Sequence, residues 1–205
     1  MYDISSLMGL DEGSLAVIEE YLSISSDDYS NAFSSLGIGT ILRFKLLDGS
    51  DTEIMVADIK ENIATMVHVG CVGEDRRMNP TNSTIGGYEA CELRRVLNHE
   101  IVNLYPSWLR DQMIPDYYGD SLRLLSNEEV FGNDVHGVPC PDYQLEIMKY
   151  LRNRIAFNKN ARHGWWLSCV AGSAAFCFVA SGGFPAASGA SNLYGVRPLF
   201  KISLI

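Results

Sequence analysis

His136 and Cys140, four residues apart in His136-Gly137-Val138-Pro139-Cys140, have the side chains and spacing of two soft metal ligands. A zinc site needs four protein ligands, or three and a water. No second clustered pair stands beside them, so the segment reads as a plain loop. Cys91 and His99 are eight residues apart, which on a helix is about 80° round the axis. Nothing orients the histidine as a base, and the pair reads as core plus surface. The five cysteines, Cys71, Cys91, Cys140, Cys169 and Cys177, form no Cys-x-x-Cys pair and are odd in number, so reduced thiols are expected. Asn82-Ser83-Thr84 is a glycosylation triplet, which has meaning only in a secreted chain. Calcium-dependent sugar binding needs several carboxylate or carbonyl oxygens. Residues 163–196 contain no Asp or Glu, so neither a resident metal nor a cofactor is expected there.

The elements that must position such residues begin with a helix, marked by Leu15, Ile18 and Leu22 behind Asp11 or Ser14. A polar stretch, 23–37, reads as a linker, so residues 1–37 form a helix and linker and a compact domain is expected over 38–205. Leu42, Phe44 and Leu46 alternate with polar residues, Asp48-Gly49 supplies a turn, and Ile54 and Val56 begin the returning strand. A third strand is expected over Ala64–Val69. Leu93, Val96, Leu97, Ile101 and Leu104 trace one face of a helix that Pro106 ends. Trp108–Met113 suggests a short helix, Leu122, Leu124 and Leu125 a short strand, and Ser126-Asn127-Glu128-Glu129 a capped helical turn. Leu145, Met148, Leu151 and Ile155 mark another helix, with Lys149, Arg152 and Arg154 on its wet side.

The 205 residues carry 16 basic and 25 acidic side chains, a formal net charge of -9, and 47% hydrophobic residues. That composition suits one folded domain. It argues against a nucleic-acid partner, which needs clustered Lys and Arg, and Arg76-Arg77 and Arg94-Arg95 are too few and too separated. The amino terminus has acids where a secretory signal needs bases, so no export signal is expected.

Residues 163–196 are 34 consecutive residues without Asp, Glu, Lys or Arg. Trp165–Gly183 has the length of a membrane helix, but Ser, Ala, Gly and Pro185 dilute it, and membrane insertion is not expected. Short buried strands, Trp165-Trp166-Leu167 and Phe176–Val179, fit better, although their nearly all Ala, Ser and Gly connections are unlike ordinary surface loops. The last strand places Val196, Phe200, Ile202 and Leu204 on one face and Arg197 and Lys201 on the other, with Pro198 at a strand start or edge.

The blocks Gly86–Asn98, Leu124-Leu125-Ser126 with Glu129–Gly132, Trp165-Trp166-Leu167 and Gly195-Val196-Arg197-Pro198 occur in order. Together they resemble a bacterial and phage domain family of C-type lectin fold, the fold that also carries the variable proteins of diversity-generating retroelements. The likeness covers roughly residues 38–205 and departs where relatives continue Trp-Trp-Leu with Arg-Ser, since Ser168-Cys169 stand here. It implies an α+β fold with short twisted antiparallel strands, two main helices and long loops. Retroelement mutagenesis replaces adenines, chiefly in Asn codons, and from the genetic code cannot produce Lys, Met, Gln, Glu or Trp there. Residues 168–195 contain none of the five, whereas residues 1–164 contain 26.

The resemblance therefore implies a hypervariable binding face drawn from Cys169, Ala171, Ser173, Ala174, Ala175, Phe176, Phe178, Ala180, Phe184, Ala186, Ala187, Ser188, Ala190, Ser191, Leu193 and Tyr194. Trp165, Trp166, Phe200 and Ile202 would be scaffold, and alternation would send some Phe side chains inward. The implied function is non-enzymatic recognition of a protein or glycan on a target cell surface, from a phage tail or cell envelope. Without an export signal the virion is the more economical site. Two alternatives stay open. One is a non-variable domain of the same fold. The other is an oxidoreductase like the formylglycine-generating enzymes, which share the architecture and use a cysteine pair. Cys169 and Cys177, with seven residues between them, would be that pair, in an uncharged setting that gives a thiolate no support.

Overall fold

Leu42, Phe44 and Leu46 put their alternation to use in a hairpin. β1 (Ile41–Lys45) pairs antiparallel with β2 (Asp51–Lys60), Leu42 facing Ile54. Gly49 takes the left-handed conformation (φ 82°) that the turn requires, and the Asp48 carboxylate accepts from the Ser50 amide and hydroxyl. The computed structural model describes Phe33 and residues 35–204. The helix expected around Leu15–Leu22 lies outside those residues. Phe33 and Leu36 are buried in the core, upstream of the boundary expected at 38.

β3 (Ile63–His68) pairs with β2 across a register shift between Val56 and Asp58. The chain's last strand pairs with β3 and with the two-residue β4 (Arg123–Leu124), giving the order β1-β2-β3-β10-β4 once β10 (Pro198–Ser203) is counted. Pro198 is the first residue of β10, the place where its missing N–H does least harm. All named pairings are antiparallel, and with few helices the class is α+β.

The long helix is shorter than its pattern. α1 (Glu92–His99) starts at Cys91, whose Sγ accepts from the Arg94 amide at 3.3 Å, and buries Leu93, Val96 and Leu97. It stops at Glu100, and Ile101–Leu104 forms a tighter 3₁₀ turn. Ile101, Val102 and Tyr105 all reach the core. α2 (Ser107–Arg110) follows Pro106. α3 (Asn127–Phe131) carries the complete capping box of Ser126 and Glu129 and ends at Gly132 in the left-handed conformation (φ 73°).

The helix expected across Leu145–Ile155 is instead a 3₁₀ turn, Glu146–Lys149, and the one-turn α4 (Leu151–Arg154), separated by extended Tyr150. Side chains take the carbonyls that a continuous helix would use. Asn153 Nδ2 donates to Ile147 O (2.8 Å) and Arg154 Nε to Met148 O (2.7 Å), so Arg154 is not simply wet.

β5 (Ala156–Asn158) and β6 (Ala161–His163) form a short hairpin, and β7 (Trp165–Gly172), β8 (Ala175–Val179) and β9 (Pro185–Gly189) form the third sheet. The uncharged segment is thus strand and turn, and among the described residues no helix is long and apolar enough to cross a membrane. Two apolar clusters flank the sheets. Val56, Met66, Trp166, Phe176, Phe200 and Ile202 enter one, and Ala57, Val67, Trp165, Leu167, Val179 and Leu199 the other. Burial on both faces explains why Trp165-Trp166-Leu167 is a continuous apolar run.

The same arrangement treats the two charged residues Arg197 and Lys201 differently. Arg197 shares a face with Leu199 and Lys201, as alternation predicts, but the second cluster covers that face at Leu199 and leaves it open only at Lys201. Arg197 is 1% exposed. Its guanidinium donates to His68 O (2.5 Å) and Asn153 O (2.8 Å) and lies 4.9 Å over the Trp165 ring.

Candidate functional site

The Trp pair fixes the uncharged segment from behind. Trp165 Nε1 donates to Arg154 O at 2.9 Å and Trp166 Nε1 to Arg76 O at 2.7 Å, so both indoles are buried with their one polar atom satisfied. Ser168 donates its hydroxyl to Leu125 O at 3.2 Å.

The positions expected on a binding face fall into three groups, with Phe184 and Leu193 outside them. Phe176 and Ala190 are fully buried and belong to the core, which corrects their assignment to an open face. Phe178 and Tyr194 pack against each other at 4.2 Å between ring centroids and both against Trp166, half-buried.

A second group lies under the loop 79–84. Asn82 Oδ1 accepts from the Ser191 amide and hydroxyl at 2.9 and 2.7 Å. The Thr84 hydroxyl donates to Gly172 O (2.8 Å), its amide to Ser173 O (3.2 Å), and the Asn79 amide to Ala190 O (3.0 Å). A Cβ on Gly189 would stand 2.6 Å from Asn82 Oδ1. Gly189 must be glycine here because the Asn82 side chain lies against its Cα. The glycosylation triplet spends its Asn oxygen and Thr hydroxyl on these internal bonds. Ser188 accepts from Asn192 Nδ2, and Ala174 O accepts from the Ala190 amide, so both belong to the same clamped edge. Ala175 pairs across with Gly189, while Ala180 closes the β8–β9 turn by donating to Phe184 O. Phe184 and Leu193 project outward, 60% and 61% exposed, away from the clamp.

The third group borders a cleft of about 790 Å³. One wall is Val170, Ala171, Gly172, Cys177, Pro185, Ala186 and Ala187, and the other is Asn127 with the loop Asn133–Gly137. The His136 segment, a plain loop by its sequence, is therefore the opposite wall. Asp134 shapes it. Its carboxylate accepts from the Val138 and His136 amides (2.9 and 2.8 Å), bonds that hold its pKa below the usual carboxylate value. Asn127 Nδ2 ties the wall to α3 through Asn133 O (2.8 Å) and Asp134 O (3.1 Å).

Cys169 stands at the join of the walls, its Sγ accepting from the Asn127 amide (3.2 Å) and lying 3.8 Å from Glu128 Oε2. Burial, with the Glu128 carboxylate adding to it, pushes its pKa up to about 12. Cys177 is raised for the same reasons. Both thiols stay protonated near neutrality, the reverse of what a nucleophilic pair needs.

Elsewhere the structure gathers residues that sequence reading passed over. Cys71, Asp75 and His163 meet around Gly195, where a Cβ would fall 2.3 Å from Cys71 Sγ. His163 Nε2 lies 2.9 Å from Asp75 Oδ2 but outside hydrogen-bonding geometry, and burial pushes Cys71 up to about 11. The one signal was the glycine of the Gly195–Pro198 block. Cys91 caps α1 and is buried, His99 is exposed, and among the described residues no three His, Cys, Asp or Glu side chains are grouped to hold a metal ion.

The profile of a family described as a domain of unknown function (DUF6273) matches residues 54–204. No curated protein and no solved structure matches the chain.

Proposed function

We propose that this chain, which belongs to the DUF6273 family of domains of unknown function, is a non-enzymatic ligand-recognition module of C-type lectin-like architecture whose segment 168–195 supplies the binding surface. The observation that carries the reading is the cleft of about 790 Å³. It is walled by small side chains of β7, β8 and β9, which two buried tryptophans hold from behind. Concave sites with few, well-placed polar groups are where ligands are ordinarily taken up. The raised thiols of Cys169 and Cys177 support recognition over cysteine chemistry. Within this reading the segment is diversified by a retroelement, and its target is a protein or glycan on a cell surface, met from a phage tail or cell envelope.

A second reading, a non-variable domain of the same fold, is favoured by one observation. The loop 79–84 gives Gly189 a purely structural reason to be small, through Asn82. Deep sequencing of the locus in its source population separates the two. Substitutions at adenine-bearing codons are expected at cleft positions such as Ala171, Ala186 and Ala187, while Trp165, Trp166, Gly189, Ala190 and Gly195–Pro198 stay constant. Even or absent variation across 168–195 removes the diversification and leaves a cleft of fixed sequence.

A further inference from the structure

Among the described residues, β1 ends the five-stranded sheet and β9 the three-stranded one, and these two edge strands are built differently. β1 carries Arg43 and Lys45, paired with Glu53 and Asp51 on β2 at 2.5 and 2.8 Å. Such charged cover is how an exposed edge avoids pairing with other chains. β9, Pro185-Ala186-Ala187-Ser188-Gly189, is last in the order β7-β8-β9 and has no charged residue.

The hydrogen-bond parity of β8 and β9 fixes which groups β9 turns outward. The Ala190 amide donates to Ala174 O and the Ala180 amide to Phe184 O, both at 2.9 Å. In register, the bonded pairs between them are Phe176 with Ser188 and Phe178 with Ala186. Pro185, Ala187 and Gly189 therefore direct their backbone polar groups away from β8. Gly189 is closed off, its carbonyl accepting from the Asn192 amide and its Cα face covered by Asn82. Among the described residues, the Pro185 carbonyl and the Ala187 N–H and C=O remain, on exposed residues that also line the cleft. An outward acceptor, donor and acceptor in strand register are what a polypeptide backbone matches.

Charge selects the partner further. Asp134 lines the cleft, Glu128 lies behind Cys169, and among the described residues no Lys or Arg lines it. A second copy of this chain, net charge -9, would bring the same acids together edge to edge.

We propose that β9 is a strand-addition site, at which an extended polypeptide segment with basic flanks pairs along Pro185–Ala187 and sends alternate side chains into the cleft. The inference rests on the recognition reading and names its ligand class.

The test is fluorescence anisotropy of the full chain with a degenerate pool of labelled hexapeptides, lysine at both ends and Thr alternating with a varied residue, run beside labelled oligosaccharides. Members of the pool bind, and Ala187→Pro, which removes the outward N–H without touching a β8 bond, weakens them at least about tenfold. The same peptides N-methylated at alternate residues lose as much, which keeps the test sound if Ala187→Pro does not fold. Peptide binding indifferent to both changes overturns the proposal. So does a dimer, seen by sedimentation, that Ala187→Pro dissociates, since the occupant is then a second copy. Oligosaccharide binding without peptide binding leaves the recognition reading standing and removes strand addition. Binding of neither removes both.

Discussion

Arg197 is a fully buried cation whose two named acceptors are carbonyl oxygens, His68 O and Asn153 O. Burial lowers its pKa to about 10, so it still carries its proton at neutral pH. The planar fork can serve two carbonyls while lying on the Trp165 ring, and no other side chain does all three. Arg197→Ala strands both carbonyls and opens a cavity beneath Trp165. The expected loss is about 3 kcal/mol of unfolding free energy, with Arg197→Lys recovering only part, read from urea denaturation. Alternation had placed Arg197 correctly with Lys201. It could not say that the second cluster covers that face at one residue and leaves it open four residues on.

At the scale of elements, the most legible was α3. Ser126 and Glu129 cap it reciprocally, a local device that needs no tertiary contact. Ser126→Ala is expected to lower stability by about 1 kcal/mol in thermal unfolding, and to weaken peptide capture as well. The second effect follows because Asn127, the first residue of α3, holds both Cys169 and the Asn133–Asp134 wall. The Leu145–Ile155 segment was the least legible. Its apolar spacing is helical, yet Leu151 is 43% exposed and the chain is extended at Tyr150. Hydrogen bonds from Asn153 and Arg154 back to residues 147 and 148 replace helical ones, and that competition leaves no trace in hydrophobic periodicity.

For the molecule as a whole, stability toward acid is tied to His68, buried between β2 and the 3₁₀ turn. Its Nδ1 meets Thr52 Oγ1 at 3.1 Å, and its Nε2 meets the Tyr105 hydroxyl. Burial, helped by Arg197, lowers its pKa from 6.5 to about 3. Between those values the unfolded chain holds a proton that the folded chain does not. The stabilisation is thus complete above pH 6.5 and lost on acidification, at about 1.4 kcal/mol per pH step. Unfolding midpoints between pH 7 and 5 should fall accordingly, and His68→Gln should flatten that slope while lowering stability at pH 7.

The amino-acid sequence by itself determined the β1–β2 hairpin, the capped turn at Ser126, the buried Trp pair, the start of β10 at Pro198 and the uncharged character of 163–196, because each depends on side-chain type and near-neighbour spacing. Only the tertiary structure decided which small residues of that segment are clamped and which are open. The clamp, residues 79–84, and the far wall of the cleft, residues 133–137, reach the segment from distant parts of the chain. Contacts across such separations are set by the packing of whole sheets about two apolar clusters, which no local pattern records.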